Sequence, residues 1–172
     1  MSITVMPIEP QWFKEKAEVQ SITWRETYEG MLPQDVIEAI TPEFALQLTR
    51  RHAQNDPGRA VTLVALETND TSGDTHVIGF TEVLRHPREP MNHPEAVELA
   101  SLYVLARCQR HGAGRALVEA ATKAFDNPKL ALWVFDGNAN AIAFYRHVGF
   151  RFTGATQVED DGRNSESEMI NY

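Results

Sequence analysis

Two short stretches of this chain carry residue types whose spacing could do chemistry. The first is Gln109-Arg110-His111-Gly112-Ala113-Gly114-Arg115-Ala116, which comes after the apolar run from Leu99 to Val104. A buried strand that runs into a glycine turn and then a helix exposes unpaired N–H groups and the partial positive charge of a helix start. Together these bind phosphate. Glycines at 112 and 114 remove the Cβ atoms that would hold a pyrophosphate away from that backbone, and Ala113 and Ala116 extend the clearance. Arg110, His111 and Arg115 could meet further phosphate oxygens. The same two glycines could equally do no more than turn a strand into a helix, and a G-x-G pair alone does not separate the two readings.

The second stretch runs from Asp136-Gly137-Asn138 to Gly149-Phe150. At about 100° per residue, Asn138, Ala141 and Tyr145 fall on one helical stripe, while His147 points the other way. An amide, a small residue and a phenol therefore line roughly two turns of one face. If that helix lies beside the glycine turn, Tyr145 can reach the tail of a ligand whose phosphates sit there. The plainer alternatives are an N-cap for Asn138 and a half-buried core position for Tyr145. A dinucleotide site would also use a glycine turn, with Asp136 roughly 20 residues on to hold a ribose. Against it, Leu117 stands where a third small residue is needed, and too little chain remains to complete a doubly wound sheet.

Chemistry is sparse elsewhere. The single cysteine, Cys108, can form no internal disulfide, and a structural zinc would need several more ligands. With no base beside it in sequence it is expected to be a bystander thiol. The six histidines are scattered without metal-ligand spacing, so no metal is expected. Asp and Glu number 24 against 16 Lys and Arg, a net charge of -8, the opposite balance to that of a nucleic-acid binder. The start MSITVMPIEP lacks the basic and apolar regions of a leader, and no stretch approaches the roughly 18 apolar residues of a membrane span. A cytoplasmic protein with no membrane partner is expected.

The elements that must position these residues can be read from periodicity and punctuation. Ser2–Ile8 alternates as a strand. A helix should run from about Trp12 to Tyr28 and stop at Gly30, a short one should open at Pro33, and a third should be capped by Thr41-Pro42-Glu43. Val61–Leu66 and Val77–Leu84 should form a hairpin around residues 69–74, with a proline-rich loop at 85–94. Glu98–Val104 reads as a central strand, Gly112–Phe125 as a helix, Leu130–Phe135 as a strand and Ala139–His147 as a helix. Phe150–Val158 and Ser165–Tyr172 close as a hairpin. This order, β-ααα-ββ-β-α-β-α-ββ, describes one α/β or α+β domain over residues 1–172 with a mixed sheet.

The two stretches together resemble the GNAT superfamily of acetyl-coenzyme-A-dependent N-acetyltransferases. Gln109-Arg110-His111-Gly112-Ala113-Gly114 is similar to its Q/R-x-x-G-x-G/A fingerprint. Gly137-Asn138, Ala141, Tyr145 and Gly149-Phe150 are similar to its later GN-x-x-A-x-x-x-Y-x-x-x-GF pattern. Trp24–Pro33 resembles the acceptor-side helices of many bacterial small-molecule members, some of which acetylate polyamines. The resemblance implies a mostly antiparallel sheet of about seven strands with helices on both faces. It implies a coenzyme A pyrophosphate on the turn from Arg110 to Ala116, and a pantetheine arm paired along Leu102, Tyr103 and Val104. That central strand would splay from its neighbour at a bulge, opening a slot for the thioester. The resemblance also implies direct attack by the acceptor amine, protonation of the leaving thiolate by Tyr145, and a base for which Glu98 is the candidate, with Glu26 and Glu29 behind it.

For the acceptor, a small cationic amine such as a polyamine is expected, by attraction to Glu159-Asp160-Asp161 and the acidic balance, although the same charges could equally be an ordinary solvated turn. His86 and His93 could rim its site. A protein N-terminus and an antibiotic are the other acceptors, a coenzyme-A-binding module without turnover is the alternative class, and a homodimer is possible by the same resemblance.

Overall fold

The structure is a computed structural model that describes residues 2–158 and 164–171. Its elements are β1 (Ser2–Pro7), α1 (Phe13–Tyr28), α2 (Gln34–Glu38), α3 (Pro42–His52), β2 (Ala60–Thr68), β3 (Thr75–Leu84), β4 (Val97–Val104), α4 (Ala113–Ala124), β5 (Leu130–Phe135), α5 (Ala139–His147), β6 (Phe150–Val158) and β7 (Ser165–Asn171). Short 3-10 turns at Pro10–Trp12 and Ala106–Cys108 lead into α1 and toward α4. The punctuation in the sequence accounts for many of these limits. Thr41 accepts a hydrogen bond from the Phe44 N–H with Pro42 at the first helical position, a cap of about 1 kcal/mol.

The seven strands form one sheet in the order β1-β2-β3-β4-β5-β7-β6. Every neighbouring pair is antiparallel except β4 with β5. That topology is not the doubly wound parallel sheet a dinucleotide site requires, which removes that reading. α1 and α3 pack together, with α1 on β3 and β4, and α4 lies over β1 to β4, so helices cover both faces. The core holds Val64, Ile78, Phe80, Leu117, Leu130, Phe150 and Met169, each fully buried, and each contributes about 1.5–3 kcal/mol of apolar burial.

Two irregularities interrupt the sheet around β4. Glu82 pairs with Ser101 and Val83 with Leu99, so Ala100 is an extra residue that bulges β4. β5 pairs with β4 only at Val97↔Leu130 and Glu98↔Ala131. Beyond that point the two strands part, and β5 continues on β7 alone out to Phe135↔Glu166. Gly79 is required where β3 meets the end of β4, because a Cβ there would lie 2.6 Å from the Tyr103 carbonyl oxygen.

Candidate active site

The glycine turn starts from the end of β4. The Gln109 side chain donates to the Val104 carbonyl, 3.0 Å, and folds the turn back on its own strand. Arg110 and Gly112 both take left-handed backbone conformations, φ 64° and 95°. Gly112 then caps α4, whose first helical bond runs from the Ala116 N–H to the Gly112 carbonyl, 2.9 Å. No side chain caps this helix, so the N–H groups ahead of Ala116 lack helical partners. A Cβ on Gly112 would meet nothing within 4 Å, so the space above it is open. The two glycines differ in what they serve. A Cβ on Gly114 would come within 3.1 Å of the Phe144 ring, so that glycine lets α4 approach α5. Ala113 is buried in the core, whereas Arg110, His111 and Arg115 are exposed. Arg115 Nη2 lies 3.1 Å from His147 Nε2.

On α5, Asn138 is the N-cap, its Oδ1 accepting from the Ala141 N–H at 3.0 Å. Tyr145 is buried against the rings of Phe144 and Phe150. Burial, with the Tyr28 hydroxyl adding to it, raises its pKa well above the ordinary phenol value. Asp136 accepts from the Ser165 and Ser167 hydroxyls and ties β5 to β7.

Sequence reasoning located Tyr145 and Tyr103 but not their arrangement. The Tyr103 and Tyr28 hydroxyls are 3.4 Å apart, and burial, then the influence of Tyr28 and Tyr145, raises the Tyr103 pKa too. The Tyr28 ring stands edge-on to Phe135 and packs on Trp24. Phenols from α1, β4 and α5 thus gather where β4 and β5 have parted. Leu102 and Tyr103 are half-buried there, and Val104 is buried. Two polar atoms on the same side, Trp24 Nε1 and Ser101 Oγ, are buried without a hydrogen-bond partner. Such atoms cost stability unless something supplies the missing bond.

Glu98 lies at the closed end of the gap and is 3 % exposed. It is therefore not an exposed strand-end carboxylate but an engaged one. Arg88 Nη2 donates to its Oε1 at 2.6 Å, Arg88 Nε to both oxygens at 3.2 and 3.1 Å, and the Arg88 backbone N–H to Oε2 at 2.8 Å. A cavity of about 220 Å³ adjoins this pair, lined by Arg88, Glu89, Pro90, Glu98, Trp133 and Gln157. Cross-strand register sets Glu98, Ser101, Tyr103, Trp133 and Phe135 on one face of the sheet, the face that α1 covers. The weaker base candidates are elsewhere engaged or exposed: Glu26 accepts from the Ala106 N–H, and Glu29 faces solvent.

Within the proline-rich loop, His86 is exposed, while His93 Nε2 lies 2.8 Å from the buried Glu168, which also accepts from Thr153. Cys108 is buried and its thiol is pushed up by that burial, Arg107 opposing, which disfavours the thiolate that a nucleophile needs. Glu159-Asp160-Asp161 lies outside the described residues. Among the described residues no cluster of potential metal ligands occurs, and no helix is long and apolar enough to cross a membrane.

Comparison with known proteins places these features in a group. Residues 11–150 match the model of the Acetyltransferase (GNAT) family. Over 156 residues, 90% of this chain and 83% of the relative, the chain is 23% identical to the "probable N-acetyltransferase Rv2775" of Mycobacterium tuberculosis. Over 52 residues, 30% of this chain and 34% of the relative, it is 42% identical to the peptidyl-lysine N-acetyltransferase YjaB of Escherichia coli. The crystal structure of the PaiA N-acetyltransferase of Thermoplasma acidophilum in complex with coenzyme A superposes with a TM-score of 0.72 at 22% identity, covering 99% of both chains.

Proposed function

The chain belongs to the GNAT family of N-acetyltransferases, and on that footing we propose that it moves an acetyl group from acetyl-coenzyme A to a small cationic amine. The observation that carries the reading is the gap beyond Glu98 and Ala131, with an uncapped helix start at the end of β4 and Tyr145 at its side.

The residues present suit coenzyme A. The N–H groups from Arg110 to Arg115, over an open Gly112 and with the Ala116 N–H closing the first helical turn, offer a cradle to a pyrophosphate. The unpaired edge of β4 along Leu102, Tyr103 and Val104 offers backbone groups to a pantetheine arm, and Asn138 and Ala141 line the α5 side. When bound, acetyl-coenzyme A supplies a thioester with a thiol as leaving group. Tyr145 keeps its proton across the physiological range, because burial disfavours the phenolate, and so can deliver it to the departing sulfur. The acceptor nitrogen must lose a proton before it attacks. Glu98 can take that proton only when its lone pairs are released from Arg88. On this reading the transferase domain spans residues 1–172.

The test is thiol release from acetyl-coenzyme A, screened against polyamines, amino acids, aminoglycosides and short peptides. Amine-dependent release supports the reading and narrows the acceptor. Release with lysine peptides alone would favour a protein acceptor, the class named for the Escherichia coli relative that matches over 52 residues.

A further inference from the structure

We infer that Arg88 is a built-in occupant of the acceptor's cation position, holding Glu98 until a cationic acceptor displaces its guanidinium. The inference rests on the amine-acceptor reading above and names the residue that sets its selectivity.

The ion pair is lopsided. Glu98 is almost wholly buried, with its side chain 4% exposed, whereas the Arg88 side chain is 66% exposed. A carboxylate taken out of water must keep a cation beside it, so Glu98 needs a partner at all times. An exposed arginine on a loop gains little from the same pair, because water competes for its guanidinium and holding a long side chain still costs entropy.

Backbone and side chain have separate duties here. The Arg88 N–H bond to Oε2 places the carboxylate whatever the side chain does. The loop itself is pinned by Met91 and Ala96, which pack on Ala131 and Ile170, and by His93 on Glu168. Rotation of one side chain therefore frees Glu98 without moving the loop. The cavity beside the pair, about 220 Å³, is large enough for an alkyl amine, and Trp133 among its lining residues is an aromatic that attracts cations. Glu82 and Glu166 also bear on the Arg88 charge, so any cation that takes its place enters the same negative field. The ammonium that takes the seat is the one that reacts, since Glu98 beneath it is the proposed base, and a second positive group on the acceptor gains further from the field of Glu82 and Glu166.

Arg88→Ala tests this. If the guanidinium holds the seat about nine-tenths of the time, the variant should lower KM for 1,4-diaminobutane roughly tenfold. The apparent Kd for acetyl-coenzyme A should not change, and calorimetry, which needs no turnover, should find that Arg88→Ala tightens binding of 1,4-diaminobutane when Glu98 is present but not in Glu98→Gln. A second reading needs no turnover. Arg88→Ala should melt below the wild type, and millimolar guanidinium or 1,4-diaminobutane should restore its Tm more than either raises that of the wild type. If Arg88→Ala does not fold, Arg88→Lys, which loses the two-pronged contact, should show the same changes in smaller measure. A KM that is unchanged or rises, or a Tm deficit that neither cation repairs, would overturn the inference. Wild-type protein that transfers acetyl to no amine would instead sink the acceptor reading, and the melting comparison would still judge Arg88.

Discussion

Tyr145 is the side chain on which the proposed chemistry turns. Tyr145→Phe removes one oxygen from a ring already packed between Phe144 and Phe150, so the fold should survive. If thiolate protonation limits the rate, turnover should fall about a hundredfold with coenzyme A affinity nearly intact. Equal single-turnover rates for variant and wild type would remove Tyr145 from the mechanism. The same phenol makes a pH prediction. Its folded pKa is raised by burial above the ordinary 10.0, so its contribution to stability is complete below that value. Stability is then lost as pH rises, because the unfolded phenol gives up its proton first. Denaturant melts between about pH 9 and pH 11 should show a shallower decline for Tyr145→Phe than for the wild type. Tyr145 was legible in sequence because helical period alone sets it on the stripe with Asn138 and Ala141. Arg88 and Lys16 were not. A lysine within the first turns of a helix reads as solvent-facing, yet Lys16 is fully buried, over the Phe80 ring and hydrogen-bonded to Gln20. Only tertiary packing decides such cases.

Elements carry the next two expectations. Gly112 and Gly114 look alike in the motif, but the structure gives them different work. Gly112→Ala meets no neighbour and suffers only its left-handed backbone, a cost of about 1–2 kcal/mol, while its methyl enters the space proposed for the pyrophosphate. It should raise Kd for coenzyme A and leave the saturated rate close to normal. Gly114→Ala presses on Phe144, the neighbour of Tyr145 on α5, and should lower kcat with a smaller change in Kd. Titration calorimetry with saturated kinetics on both variants separates the two effects, and the reverse pattern would mean the cradle is misplaced. The 85–96 loop is held through His93. Burial works against the imidazolium, but Glu168 outweighs it, aided by Glu95, and the pKa rises from the ordinary 6.5. This tether is therefore fully present below about pH 6.5 and lost as pH climbs through the raised folded value. His93→Gln should cost more Tm at about pH 6 than at about pH 8, and an equal deficit at both would deny the charged tether. The elements themselves were readable from Pro, Gly and Thr punctuation. The tether was not, since His93 and Glu168 are far apart in sequence.

At the scale of the molecule, the sheet is two blocks, β1 to β4 and β5-β7-β6, joined across β4 and β5 by only two registered positions. Alternating patterns could place strands, and the resemblance implied that one would splay. Neither could show that β7 rather than β6 lies against β5, because both strands of a hairpin carry the same local signals. Nor could they show that β4 and β5 pair no further than Ala131, or that one extra residue at Ala100 bulges β4 just beyond that point. The consequence is a seam whose facing edges, Leu99–Val104 and Leu132–Phe135, have no partner strand across the gap. A ligand lying in that seam would stitch the blocks together. At about 100 times its dissociation constant, acetyl-coenzyme A should add roughly 2.7 kcal/mol to stability. Hydrogen exchange locates that gain. Amides of β4 from Leu102 to Val104, together with those at the start of α4, should slow on adding the coenzyme, because a pantetheine paired along the strand protects what β5 leaves open. Protection confined to α4 would mean that only the pyrophosphate is held as proposed and that the arm runs elsewhere. Protection of neither segment, with the protein stabilised all the same, would put the coenzyme in a different site and leave the seam to the acceptor alone.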